Sequence, residues 1–211
     1  AGAELHLVHD ALNKIMLKLI SWIQAHQISV FFCVPSVLSI LKRTKKVNAE
    51  RLGSLRHVIA AGEVLPPDVA DYWMTQLPDA QLTNMYGPTE ITVDCTFHVL
   101  HENVDGGAVP IGRPRENMEV FVRLEDGSLS KADGAEGEIA VRGLSVSYGY
   151  LKNPERTAES FVQNPRHALY NDPIYLTGDL ARIEGGVFHY IGRADSQVKH
   201  MGNRIELGEI E

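Results

Sequence analysis

The sequence predicts an α/β protein with two unlike halves: a parallel sheet with flanking helices, followed by a small antiparallel sheet or β-barrel. Three observations carry this. Up to Tyr86, runs rich in β-branched and aromatic residues alternate with stretches of helical period, the pattern of parallel strands joined by crossovers. Near Glu102 the pattern changes, and Gly106-Gly107, Pro110, Gly112 and Pro114 crowd together. Beyond them short strands alternate with turns such as Glu125-Asp126-Gly127 and Glu184-Gly185-Gly186, as in antiparallel sheets and barrels. The expected boundaries enclose residues 1–103, 104–194 and 195–211, the last opening a new unit.

Each element has its own signal. Glu4 to Val8 is a short strand candidate. Asp10 can cap a helix from Ala11 to about His26, where Leu12, Ile15, Met16, Leu19, Ile20 and Ile23 form one apolar stripe. Ile28 to Val34 is apolar except for Ser29 and reads as a strand covered on both faces. A helix over Pro35 to Lys42, a charged loop over Thr44 to Arg51, and a strand over Leu55 to Ala61 come next. The next helix runs from about Pro66 to Leu77, with Val69, Trp73 and Leu77 four apart on one face. A strand over Ala80 to Tyr86 ends at the turn Gly87-Pro88. In the second half, strands are expected at Met118–Leu124, Glu138–Val141, Ile174–Thr177 and Val187–Ile191, with one helix near Pro154–Val162; Gln163 to Pro173 carries no assignable pattern. Glu206 to Glu211 reads as the first turns of a helix.

Composition narrows the function classes. The net charge of −7, with no long basic run, argues against nucleic acid and anionic membrane as partners. No apolar run approaches ~20 residues, so no spanning helix is expected. Cys33 and Cys95 lie far apart with no CxxC, as expected of free thiols in a reducing compartment, and the cytoplasm is the expected location. No GxSxG elbow and no GxGxxG fingerprint occurs.

The chemistry concentrates in Asn84-Met85-Tyr86-Gly87-Pro88-Thr89-Glu90. A turn at the carboxyl end of a strand is where open α/β sheets bind ligands. Tyr86 can stack on a base, Thr89 can donate to a phosphate, and Glu90 can hold Mg2+, a hard cation that takes few carboxylates beside phosphate oxygens. An ordinary polar turn would look the same. Gly62-Glu63 permits close backbone approach by a flat ligand, or is a plain strand-to-helix turn. Asp179 in Tyr175–Leu180 can accept from a ribose diol, or serves a Gly-Asp hairpin turn. Arg193 and Lys199 can meet phosphate or ribose and Asp195 can be a hinge, or the stretch is a solvated linker. His98 and His101 have no third ligand nearby and read as surface histidines.

Taken together, four blocks in order resemble the adenylation domain of nonribosomal peptide synthetases, within the superfamily of acyl-CoA synthetases and luciferases: NMYGPTE (84–90), GEIAVRGLSVSYGYL (137–151), YLTGDL (175–180) and GRADSQVKHMGNRIELGEIE (192–211). Pro88 and Leu207-Gly208 look like the peptide-synthetase branch. Tyr148 and Leu176 depart from the usual Arg, and His200-Met201 from the usual Ile-Arg. The resemblance implies a flavodoxin-like first subdomain, a small β-barrel second one, and membership of the large N-terminal core of an adenylate-forming enzyme. It implies that Tyr86 stacks on adenine, with the backbone of Gly62, Glu63 and Val64 lining the same pocket. Thr89 would meet the α-phosphate, Glu90 the Mg2+, Asp179 the ribose hydroxyls with Arg193 nearby, and Tyr190 would pack against the nucleoside. Asp195 would be the hinge of a C-terminal lid. Phe32, Ile59, Ala61, Met85, Val93 and Asp94 would wall the amino-acid pocket; Phe32 would favour a small substrate, and Asp94 a hydroxyl or basic side chain.

The resemblance further implies an enzyme that uses ATP and Mg2+ to activate an amino acid. Its partners would be the phosphopantetheine of a peptidyl carrier protein domain and neighbouring synthetase domains. Because the family's phosphate loop precedes this region and its lid lysine lies beyond it, the chain is expected to be a fragment, inactive alone. The rival readings are an acyl- or aryl-CoA ligase, and a catalytically incomplete nucleotide-binding piece.

Overall fold

The computed structural model describes residues 2–8, 16–104, 107–194, 197–200 and 203–206. The expected hinge Asp195, the N-cap Asp10 and the helix start at Ala11 lie outside the described residues, as do Leu207 to Glu211.

The first sheet has the order β1-β2-β3-β4-β5, with β1 Val30–Cys33, β2 His57–Ala61, β3 Gln81–Tyr86, β4 Thr96–Leu100 and β5 Arg113–Pro114. β1, β2 and β3 run parallel, as the strand–helix alternation requires. β4 then turns back antiparallel on β3, and β5 antiparallel on β4. These two antiparallel strands carry little signal of their own, because both are short and Thr96–Leu100 lies directly after the polar turn. The expected strand at Glu4–Val8 is not formed: the segment pairs with no strand, and Leu5 and Leu7 stand exposed.

Helices α1 (Met16–Ala25), α2 (Pro35–Arg43) and α4 (Pro67–Gln76) pack on this sheet, with the short α3 (Ala49–Leu52) between α2 and β2. Asn48 caps α3 by accepting from Arg51 N at 3.0 Å, so the expected charged loop holds one helical turn. Leu19, Ile20 and Ile23 of the α1 stripe, Leu38 and Leu41 of α2, and Val69 and Trp73 of α4 are buried with Phe31, Val58, Ala60, Leu82 and Leu100 of the sheet. The strand residues belong to one face, by the alternation of the pleat. On the other face Val30, Phe32 and Phe97 are exposed. Among the described residues the helices thus cover one face, and the other face of β1, which its apolar run suggested was covered as well, stands exposed at Val30 and Phe32. Trp73 carries its polar edge into this core by donating from Nε1 to Leu38 O at 3.2 Å.

The second sheet is antiparallel with the order β11-β10-β8-β6-β7. Its strands are β6 Met118–Arg123, β7 Leu129–Ser130, β8 Glu136–Gly143, β10 Pro173–Glu184 and β11 Val187–Arg193; β9 (Phe161–Gln163) comes after helix α5 (Pro154–Ser160) and pairs with β10. The pairing path among the described residues is open, from β11 to β7. β12 (Gln197–His200) and β13 (Asn203–Glu206) form a separate hairpin, so Glu206 ends a strand where a helix start was expected.

The two sheets meet at residue 112. Gly112 pairs with Phe188, with Phe188 N donating to Gly112 O at 2.8 Å and Ile111 N to Phe188 O at 3.0 Å. Gly112 adopts φ +91°, and a Cβ there would overlap the Phe97 carbonyl. Across this seam Tyr86, Ile91, Cys95 and Ile111 share one core with Val120, Ile139, Val141, Tyr175 and Phe188. The turn that ends β3 is therefore buried between the two halves.

Candidate functional site

Because β2 and β3 are parallel and Ala61 pairs with Met85, the turns after them lie side by side at the sheet's carboxyl edge. They open on a cleft of about 990 Å³ lined by Gly62, Glu63 and Val64 from the first turn and Met85, Tyr86 and Gly87 from the second. One face of α2 closes one side, and Tyr190 and Arg193 of β11 the other. Gly62 holds φ +92°, open to glycine with little strain. Gly87 is required by contact instead: a Cβ would stand 2.5 Å from Asp94 Cα. Glu63 ties its turn to α2, its Oε2 accepting from Ser36 N at 2.9 Å in the first helical turn, where a negative charge is favoured.

Asp179 reaches the same place from the second sheet. It lies within β10, at an irregularity in the register, and not at a hairpin turn between two strands as its Gly-Asp pattern allowed. Gly178, at φ +72°, makes the irregularity possible, and its N–H donates to Glu138 Oε1 at 2.9 Å. Asp179 is only 1 % exposed. Tyr86 Oη donates to its Oδ2 at 2.7 Å, and Arg193 Nη1 to its Oδ1 at 2.8 Å. Arg193 is opposite Asp179 in the β10–β11 register, which aims the guanidinium at the carboxylate. Burial, and then the Asp179 charge, push the Tyr86 phenol well above its ordinary range, so it stays a donor.

After Tyr86 the chain makes one 3₁₀ turn, Thr89–Ile91, led by Pro88. It exposes Thr89 and buries Glu90. Tyr150 Oη donates to Glu90 Oε1 at 2.7 Å, and Ser147 N donates to Glu90 O at 2.8 Å. The segment after β8 is thus docked on the turn that carries the carboxylate. Among the described residues no three His, Cys, Asp or Glu side chains converge as a metal cage. Burial and then nearby His189 push His98 below the ordinary histidine range. Cys33 and Cys95 are free thiols, pushed up mainly by burial.

The expected amino-acid wall is only partly gathered. Phe32 pairs with Ile59, and Ala61 with Met85, so these four share one sheet face; Met85 also lines the cleft. Val93 is exposed at φ +81°, just past the turn. Asp94 is engaged by Arg115, whose Nη1 donates to its Oδ2 at 2.9 Å. Sequence reading missed Arg115, Tyr150 and Glu138 as partners of site residues. They lie 21, 60 and 40 residues from Asp94, Glu90 and Gly178, and no local pattern links such distances.

This geometry has counterparts among known proteins. The model of the AMP-binding enzyme family matches residues 1–151. The chain is 34 % identical over its whole length to gramicidin S synthase 1 of Brevibacillus brevis, of which it spans 18 %. A crystal structure of the Vibrio cholerae adenylation domain AlmE in complex with glycyl-adenosine-5'-phosphate superimposes with a TM-score of 0.82 at 32 % identity, over 96 % of this chain and 38 % of that one. Holo-PA1221, a nonribosomal peptide synthetase protein containing adenylation and PCP domains, gives a TM-score of 0.84 at 29 % identity, over 93 % of this chain and 34 % of that one. The chain thus spans well under half the length of each of these relatives. With a parallel β-sheet edge carrying the Tyr86 turn, a second sheet delivering Asp179 to it, and the family model matching residues 1–151, the chain belongs to the AMP-binding enzyme family.

Proposed function

We propose that this chain is the central part of an adenylation domain that joins an amino acid to AMP and passes it to a phosphopantetheine thiol on a carrier domain, in nonribosomal peptide synthesis. The observation that carries the reading is the Tyr86–Asp179–Arg193 group, drawn from both sheets to one edge of the cleft beside Gly62–Val64. An aromatic ring and a glycine-bordered backbone edge within one cleft, with a buried carboxylate hydrogen-bonded to that ring, suit a base and a ribose. In this reading the Tyr86 ring and the 62–64 backbone take adenine, Tyr190 packs on the nucleoside, and Asp179 and Arg193 hold the ribose end.

Thr89, exposed at the start of its turn, donates to the α-phosphate. The amino acid's carboxylate oxygen attacks the α-phosphorus, an α–β bridging bond breaks, and pyrophosphate leaves. Glu90, its carboxylate oriented by Tyr150, would hold one Mg2+. Bound there, the ion would offset the negative charge of the triphosphate. The residues named here act by positioning and charge neutralisation. Phe32, Ile59, Ala61, Met85, Val93 and Asp94 form the amino-acid side of the site, and Asp195 the hinge. In this reading the remaining contacts to ATP come from the parts of the relatives that this chain does not span, and the chain by itself does not catalyse exchange.

The test is ATP–pyrophosphate exchange on the intact domain, over a panel of amino acids and simple carboxylic acids, with the isolated chain beside it. Exchange with an amino acid, lost by ~100-fold or more in Glu90→Gln, is the expected result. Exchange only with acids lacking an α-amine would replace the reading with a CoA-ligase one.

A further inference from the structure

We infer that Arg115 is a specificity-determining residue: by pairing with Asp94 it neutralises the acidic position of the amino-acid wall, so the site takes an uncharged side chain able to donate a hydrogen bond and turns away a cationic one. The inference rests on the proposed role of Asp94 in facing the amino acid.

Asp94 is close to the cleft for reasons independent of its charge. Gly87, which lines the cleft, is packed on its backbone so tightly that a Cβ would reach within 2.5 Å of Asp94 Cα. The next residue closes the same turn, Cys95 N donating to Tyr86 O at 2.8 Å. Arg115 is held against this strand by its own backbone, its N–H donating to Cys95 O at 3.0 Å. The guanidinium therefore starts from a fixed base and meets Asp94 Oδ2 at 2.9 Å. The carboxylate is the more enclosed member, its side chain 13 % exposed against 40 % for Arg115.

A lone carboxylate in such a wall attracts an ammonium group. Here an ammonium must either displace Arg115 or sit beside its like charge, and both disfavour it. A hydroxyl asks for neither. It donates to Asp94 while the ion pair stays whole, and Oδ1 carries no hydrogen bond from the described residues. An acidic side chain has no proton to donate to Oδ1 and faces the Asp94 charge there. What remains is a neutral donor, a hydroxy amino acid. The apolar Phe32, Ile59 and Met85 of the neighbouring wall suit an uncharged side chain.

The experiment is ATP–pyrophosphate exchange on the intact domain with serine, threonine, alanine, ornithine and 2,4-diaminobutyrate. The wild type should favour serine or threonine over the two cationic amino acids by ~100-fold in kcat/KM. Arg115→Met should shift that ratio at least ~10-fold towards the cationic pair, mostly through KM, while Arg115→Lys keeps the wild-type ratio. Asp94→Asn should narrow the preference for serine over alanine and gain nothing with ornithine. A wild type that prefers ornithine or 2,4-diaminobutyrate overturns the inference whether or not the variants fold. An unchanged ratio in folded Arg115→Met overturns it as well. Exchange with no amino acid at all would instead remove the amino-acid-activating reading on which it rests.

Discussion

Tyr150 Oη donates to Glu90 Oε1 at 2.7 Å, across sixty residues of sequence. The contact joins the segment after β8 to the turn after β3, and Ser147 N to Glu90 O at 2.8 Å makes a second tie beside it. A buried carboxylate held by the Tyr150 hydroxyl is pre-set in orientation for the proposed Mg2+. Tyr150→Phe removes that restraint and leaves the ring. The expected outcome is a ~10-fold loss in adenylate formation, about the worth of one hydrogen bond to a charged group, with the half-saturating Mg2+ concentration raised. A titration of exchange rate against Mg2+ checks it; loss of rate with an unchanged Mg2+ dependence would leave Tyr150 with a structural role only.

Asp179 is the buried charge on which the two sheets converge, and Arg193 is its counter-charge at 2.8 Å. Arg193→Met leaves the carboxylate without its cation and should destabilise the fold by about 3–5 kcal/mol. Tyr86→Phe loses one charge-assisted hydrogen bond and should cost about 1.5–3 kcal/mol. Urea unfolding of the intact domain measures both. Arg193→Met is expected to be the worse of the two, and the reverse order would mean that Tyr86 and not Arg193 compensates Asp179.

Asp172 confers a pH effect. Burial works against its ionised form, but hydrogen bonds from Asn164, Arg142 and His167 prevail and hold its carboxyl down at about 2. A depressed carboxyl stabilises the fold above its unfolded value, ~3.9, and the contribution is lost as pH falls from there towards 2. Acid denaturation should therefore have a component in that window. Asp172→Asn should lower stability at neutral pH and flatten the curve between pH ~4 and ~2. Urea midpoints at several pH values test this, and parallel curves for the two proteins would refute it.

The seam between the halves is tested by glycine. Gly112→Ala puts a methyl into the Phe97 carbonyl at a positive φ, so it should cost several kcal/mol, about 3 or more, or prevent folding. Gly107→Ala meets nothing within 4 Å and should change stability by less than about 0.5 kcal/mol. Thermal melts of the two variants should differ widely.

The strands β1, β2 and β3 and helices α2 and α4 are legible within a residue or two, because apolar period and proline or glycine punctuation are local signals. β4 and β5 are not legible: Thr96–Leu100 and Arg113–Pro114 are short, and their pairing depends on β3 already being in place. The apolar run of β1 suggests burial on both faces, yet alternation decides only which residues share a face, and neighbouring elements decide whether that face is covered. At the site, Tyr86, Thr89, Glu90, Gly62 and Asp179 stand in recognisable local strings. The contacts between strings are not written in them: Tyr150 lies sixty residues from Glu90.

The sequence alone determined the parallel β1, β2 and β3 with α2 and α4 between them and the antiparallel character of the later strands, since each is written in spacing and residue type within a few positions. Tertiary structure decided how those residues are tuned. Asp179 became a buried, neutralised acceptor because β10 and β11 bring Arg193 opposite it and the seam at Gly112 brings Tyr86 over it. Asp94 reads as a free acid in sequence and is half of an ion pair in the fold. The reason is physical: charge, hydrogen bonding and burial act over a few ångströms of space, and the residues supplying them here are separated by tens of positions along the chain.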